Sequence, residues 1–94
     1  MNLPEIVISF EDLGACREFE LRSEFDPTGP AIRINTRILN KMEALEAQQF
    51  VTHAIAHELY HFLEYCGRVQ RSTKRSVSER RAEEFARVVL AMHE

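Results

Sequence analysis

The sequence predicts an α+β fold: a small sheet of about three strands, antiparallel or mixed, packed on two long helices. Two observations predict it. The first third of the chain carries short β-branched or alternating runs separated by proline and glycine, whereas the rest repeats its apolar residues at helical spacing. A 94-residue chain that is 45% hydrophobic and 29% charged is expected to form a single domain, 1–94, near the low end of sizes that fold on one core.

The elements follow in order. Residues 6–10 (IVISF) come after Pro4 and fit a strand or the first turns of a helix; their brevity and β-branching favour the strand. Residues 11–14 (EDLG) break it. Residues 16–25 alternate through Phe19, Leu21 and Phe25, with charges at Glu18, Glu20, Arg22 and Glu24, the pattern of a half-buried strand. Residues 26–30 (DPTGP) form a turn in which Pro27 presets φ and Gly29 accepts a positive φ. Residues 31–35 (AIRIN) alternate again with Ile32 and Ile34 on one face, so the simplest reading is a β-hairpin. Residues 36–41 are a connector with room for one helical turn.

A long helix is expected over residues 44–66. On its wheel Val51, Ile55, Leu59, Phe62 and Cys66 form one apolar stripe, with His53, His57 and His61 roughly opposite. Gly67 is placed to close it as a C′ residue. Residues 68–75 (RVQRSTKR) are a polar, basic loop. Ser76-Val77-Ser78-Glu79 has the form of a capping box opening a last helix. There Ala82, Phe85, Ala86, Val89 and Met92 share a face, and Arg80, Arg81, Glu84 and Arg87 lie outside it.

Composition excludes several classes. A net charge of −3 gives no overall attraction to nucleic acid or anionic lipid. No apolar run approaches the roughly 20 residues of a membrane span. The start, MNLPE, has neither the basic nor the apolar segment of a signal peptide. Cys16 and Cys66 make no disulfide framework and no C-x-x-C site, so a cytoplasmic location is expected.

The chemistry concentrates at His57-Glu58-Leu59-Tyr60-His61. Two histidines four apart on a helix project from one face and can grip one metal ion; a Glu directly after the first is placed to take a proton from water. This H-E-x-x-H pattern is the zincin signature. Two imidazoles leave zinc under-coordinated, and a third ligand should come from a neighbouring element. Glu79 is the best candidate: it lies on the next helix, at the edge of its apolar stripe, across a loop long enough to reverse direction.

With Glu79-x-x-Ala82-Glu83-x-Phe85-Ala86 included, the sequence resembles the gluzincins, and most closely the small ImmA/IrrE-type metallopeptidases, over residues 31–90. The resemblance implies a zincin-like fold with Zn2+ held by His57, His61 and Glu79 and with Glu58 as general base. It implies that Ala82 lets the two helices approach. Glu83 stands where the family usually carries Asn or Asp, and is both a candidate hydrogen-bond partner for the far nitrogen of a ligand histidine and the runner-up ligand. The implied function is a zinc-dependent metallopeptidase cleaving a specific protein partner such as a regulator. The alternative is a catalytically inactive metal-binding module acting in protein–protein interaction. The substrate chain would lie along residues 31–35. Because gluzincins build their cleft from two subdomains, this one either works as a minimal domain or is completed by a homodimer or a partner chain.

The remaining candidates are less specific. His53, one turn before His57, and Tyr65, on the same side of the helix, are candidate substrate-side groups; a polar rim residue is the plainer reading of His53. Tyr60 lies nearer the core margin. Cys16 lacks the glycine-flanked context of a deformylase ligand, Cys66 fits the core, and His93 fits a solvated terminus. Two half-buried helix histidines, with Glu79 serving only as a cap, are the plain alternative to a metal site. Arg68, Arg71, Lys74 and Arg75 fit an acidic partner, a nucleic acid or simply a solvated loop.

Overall fold

The computed structural model describes residues 5–14 and 22–92. It is α+β, with strands β1 (Val7–Glu11), β2 (Ser23–Asp26) and β3 (Ala31–Asn35) followed by helices α1 (Thr36–Leu39), α2 (Ala44–Tyr65) and α3 (Arg75–Met92). The sheet is mixed and its order is β1-β3-β2. β2 and β3 form the expected antiparallel hairpin, with Phe25 opposite Ile32, and β1 runs parallel to β3, with Ile8 opposite Ile32. The part of the expected second strand at residues 16–21, with Cys16, Phe19 and Leu21, lies outside the described residues, as does His93. No helix among the described residues is long and apolar enough to cross a membrane.

The order of the sheet corrects one expectation. β3 is the central strand, paired on both sides, and has no free edge for a substrate chain. β2 is the edge that borders α2. The Asn35 N–H bonds to the Arg22 carbonyl at 3.0 Å. By the alternation of an antiparallel ladder this leaves the backbone groups of Ser23 and Phe25 directed away from β3.

The hairpin turn is held by Asp26, whose Oδ1 accepts the Thr28 N–H at 2.8 Å. Gly29 does not use its freedom here: among the described residues the positive-φ glycines are Gly14 and Gly67. At Gly67 (φ +74) that freedom is needed. Its N–H bonds to the Glu64 carbonyl and the Arg68 N–H to the Leu63 carbonyl, a Schellman closure of α2.

The core lies between the sheet and α2. Ile32 and Ile34 of β3 pack on Phe50 and Ala54, with Phe25, Ile38, Leu39, Met42, Val51 and Ile55 around them. The line of α2 turned under the sheet is therefore Phe50, Ala54, Glu58 and Phe62, all buried. The expected stripe runs beside it, with Val51, Ile55, Leu59 and Cys66 only half-buried. The wheel was displaced because a carboxylate, Glu58, occupies a fully covered position. α3 covers a second side of α2, where Ala56 and Tyr60 are buried and the Tyr60 ring lies 5.7 Å from that of Phe85. On α3, Ser78, Ala82 and Ala86 are buried at intervals of four. Met92, expected on that face, is 75% exposed, in a last turn that runs past the packed part of α2.

α3 also begins earlier than the capping box places it. Arg75 is its first residue, and the Ser78 N–H bonds to the Lys74 carbonyl at 3.1 Å. Ser72 prepares the entry, its Oγ accepting the Lys74 N–H at 3.2 Å. Ser76 is thus inside the helix, and the Glu79 carboxylate is turned to α2 rather than back to the helix start.

Asn35 joins the sheet to the helical layer. It is 0% exposed. Its Oδ1 accepts the N–H groups of Leu13 (3.1 Å) and Arg37 (3.0 Å), the latter capping α1, and its Nδ2 donates to the Gly14 carbonyl (3.1 Å). Removing this amide strands three backbone groups at once. Asn35→Ala is expected to destabilise the fold by about 2–4 kcal/mol, measured by urea denaturation, whereas Asn35→Asp keeps the two accepted bonds and is expected to lose less.

Candidate metal centre

α2 and α3 run antiparallel, so successive turns of α3 meet earlier turns of α2. Glu79 lies beside His57 and His61, and Glu83 one turn later lies beside His53 and His57. The distances are short: Glu79 Oε2 to His57 Nε2 is 3.0 Å and Glu79 Oε1 to His61 Nε2 is 3.1 Å. Glu83 Oε1 is 2.7 Å from His57 Nδ1 and 3.1 Å from His53 Nε2. The His57 and His61 side chains are only 14% and 15% exposed.

The other ring nitrogens fix the proton positions. A carboxylate only accepts, and His57 lies at hydrogen-bond distance from one at each nitrogen, Nδ1 from Glu83 at 2.7 Å and Nε2 from Glu79 at 3.0 Å, so a neutral ring can donate to only one of them. Ser78 Oγ has one proton, which it gives to Glu64 Oε1 at 2.8 Å, and towards His61 Nδ1, at 3.3 Å, it can only accept. His61 therefore carries a proton on Nδ1, and on His57 the shorter of the two contacts favours Nδ1 as well. Both rings turn Nε2 towards the two oxygens of Glu79. The arrangement needs a cation, either extra protons on the rings or one metal ion held jointly.

Two features favour the metal. His61 Nε2 is fully buried and lacks a hydrogen-bond partner. Its distance to Glu79 is that of an ion pair, but the direction is not that of a hydrogen bond, as expected where two groups face a common point rather than each other. The donor set is also suitable: candidate ligand atoms of His57, Glu58 and His61 lie within 4.8 Å of one another, and Glu79 faces both histidines. His53, His57 and Glu83 form a second such group. There, however, Glu83 already sits at hydrogen-bond distance from both rings and leaves no orphaned nitrogen.

Glu58, unlike Glu79 and Glu83, is buried, 6% exposed under β2. Ser23 Oγ donates to its Oε2 at 2.6 Å. Burial pushes its pKa up from the ordinary 4.5, against the opposing effects of the Ser23 hydrogen bond and of His57 and His61. Glu83 moves the other way. Burial would raise it, but the hydrogen bonds from His53 and His57 outweigh that and hold it below 4.5.

These groups open into a cleft of about 930 Å³ between β2, α2 and the start of α3. Tyr65, 51% exposed, stands at its edge with its ring centroid 5.9 Å from that of Phe25. The candidates His57, Glu58, His61 and Glu79 are brought together. Glu83 and His53 stand behind His57, and Tyr65 lies further along the cleft.

Three residues that sequence reasoning missed complete the arrangement. Ser78 had a signal, as the first of the small residues spaced by four that face α2. Glu64 had a weaker one, three residues after His61 on the same side. Ser23 had none, since its contact with Glu58 spans 35 positions. Comparison of the chain with protein-family models, curated proteins and solved structures finds no match.

Glu58 sets a pH dependence. Below the unfolded value of 4.5 both states are protonated and the group contributes nothing. As pH rises from there through the raised folded value, the unfolded chain loses the proton first, and stability falls to a lower plateau. Glu58→Gln removes this loss. The metal-free variant is expected to match the wild type near pH 4 and to exceed it by about 1–2 kcal/mol above the folded pKa, followed by thermal denaturation across pH.

Proposed function

We propose that the chain is a zinc-dependent, zincin-type peptidase acting on a specific protein partner, with His57, His61 and Glu79 holding the metal and Glu58 as general base. The observation that carries this reading is the convergence of two Nε2 atoms on the two oxygens of one carboxylate, one of them buried without a hydrogen-bond partner. Two imidazoles, one carboxylate and an open position are a common catalytic zinc environment. The resemblance of His57-Glu-x-x-His61 and Glu79-x-x-Ala82 to the ImmA/IrrE-type proteins points the same way.

Zinc, when bound, supplies Lewis acidity toward the scissile carbonyl and toward water. The rest is done by the chain's own groups. Ser23 engages Glu58 Oε2 and leaves Oε1 for the reaction. Glu58 takes a proton from the attacking water and returns it to the leaving amine. Burial, which raises its pKa, favours the protonated form through which it passes. Glu83 and Ser78 hold the two imidazoles in the tautomer that turns Nε2 inward. The substrate backbone would lie along β2, whose Ser23 and Phe25 border the cleft, adding a strand to the sheet.

Protein purified without an affinity tag is expected to carry one zinc per chain by elemental analysis. Glu79→Ala should weaken zinc at least about 100-fold and Ser78→Ala about tenfold, by competition with a chelator. Unchanged affinity in Glu79→Ala would move the third-ligand role to Glu83. Glu58→Gln should keep the metal and lose hydrolysis. Incubating zinc-loaded wild type and Glu58→Gln with a cell proteome and sequencing new N-termini tests this: cleavages should appear with the wild type alone. Identical sets of termini would leave the metal-holding module without turnover as the better reading.

A further inference from the structure

The cleft carries cations that have no ion pair among the described residues. Arg33 is paired with Glu11, Glu24 and Asp26 on the outer face of the sheet, and Arg37 with Asp12. Arg22, Arg71 and Arg75 instead line the cleft, are exposed, and have no ion pair among the described residues. Arg71 and Arg75 are also positioned. The loop between them is tied to α2 by the Ser72 N–H, 3.3 Å from Glu64 Oε2, and Arg75 opens α3 one turn before Glu79. A helix start adds its own positive end to the guanidinium there. The Phe25–Tyr65 ring pair lines the same cleft.

We infer that Arg71 and Arg75 form a subsite for one carboxylate of a bound peptide, so that the substrates of the proposed peptidase carry an Asp or Glu within a few residues of the scissile bond. The inference rests on the proposed hydrolytic function for the scissile bond, but not for the subsite itself. Planar guanidinium groups suit a carboxylate, which they engage by paired hydrogen bonds. A polyanion is a poorer occupant. Glu58, Glu64, Glu79 and Glu83 line the same cleft, and a chain of phosphates running through it would meet them. A single acidic side chain reaches the arginines from an otherwise neutral backbone.

The test uses the full chain with Glu58→Gln, which prevents turnover, with and without zinc. One Glu is walked along a fluorescent decapeptide of otherwise uncharged residues, and each peptide is compared with its Gln counterpart by anisotropy. At one or two adjacent positions the Glu peptide is expected to bind about tenfold more tightly than the Gln peptide. The gap should close in Arg71→Gln/Arg75→Gln, survive in Arg71→Lys/Arg75→Lys in reduced form, and be unchanged in Arg80→Gln, on the exposed side of α3. It should also shrink between 50 and 500 mM salt, roughly as screening requires. Equal binding of Glu and Gln peptides at every position would overturn the subsite, as would tighter Arg71- and Arg75-dependent binding of a single-stranded oligonucleotide. Failure to take up zinc would overturn the hydrolytic function alone, because the Glu-over-Gln gap is read in both states.

Discussion

The centre depends on how closely α2 and α3 approach. Ser78, Ala82 and Ala86 place the smallest side chains of α3 in one buried row, with Ala82 and Ala86 at 0% exposure. A seam of small residues lets two helices pack at short range, and residues flanking it then reach the neighbouring helix with ordinary rotamers. Glu79 is next to Ser78, and Glu83 next to Ala82. Their carboxylates arrive at the histidines of α2 because the seam brings the backbones together. A bulky side chain at position 82 would move both off His57 at once, so the inner contact at Nε2 and the outer contact at Nδ1 share one mechanical cause.

The same seam arranges protons as well as atoms. His57 and His61 are pinned by chemically different partners, a carboxylate and a hydroxyl whose only proton is committed to Glu64. The result is the same for both: Nδ1 donates and Nε2 is left to face Glu79. A protonated His57 would satisfy both of its carboxylates, but His61 Nε2 keeps no hydrogen-bond partner in either case, and this orphaned nitrogen singles out the Glu79 side as the candidate metal position over the equally close His53–Glu83–His57 group.

Much of this was legible in the sequence, for reasons that differ by residue. The hairpin was legible because Phe25, Ile32 and Ile34 alternate around a proline–glycine turn, and α2 because its apolar residues and Gly67 mark its body and end. His57, Glu58, His61 and Glu79 could be grouped because their spacing is local to two adjacent helices. The sheet order was not legible, since nothing in β1 states whether it joins β2 or β3; the edge was accordingly assigned to the wrong strand. The buried line of α2 was misplaced by one position, about a quarter of a turn, because Glu58 interrupts it. The capping box at Ser76 was a local pattern overruled by a tertiary one: Glu79 had better partners across the seam. Ser23 was out of reach of any periodicity.

Glu58 is where these constraints meet. A carboxylate in the line Phe50, Ala54, Glu58 and Phe62 weakens the very layer that holds the sheet, and a leucine there would extend the core. Ser23 offsets part of the loss with one short hydrogen bond but cannot restore the lost hydration. A group kept at such a position, with a raised pKa, one oxygen held and the other turned to a cleft beside two inward-facing imidazoles, is difficult to explain by folding alone. It is explained if β2 does two things at once. Its Ser23 side chain aims Glu58 from above, and its outer backbone edge receives the chain to be cut. On the proposed function, the general base and the bound peptide are positioned by the same four-residue strand, which registers the scissile bond against Glu58.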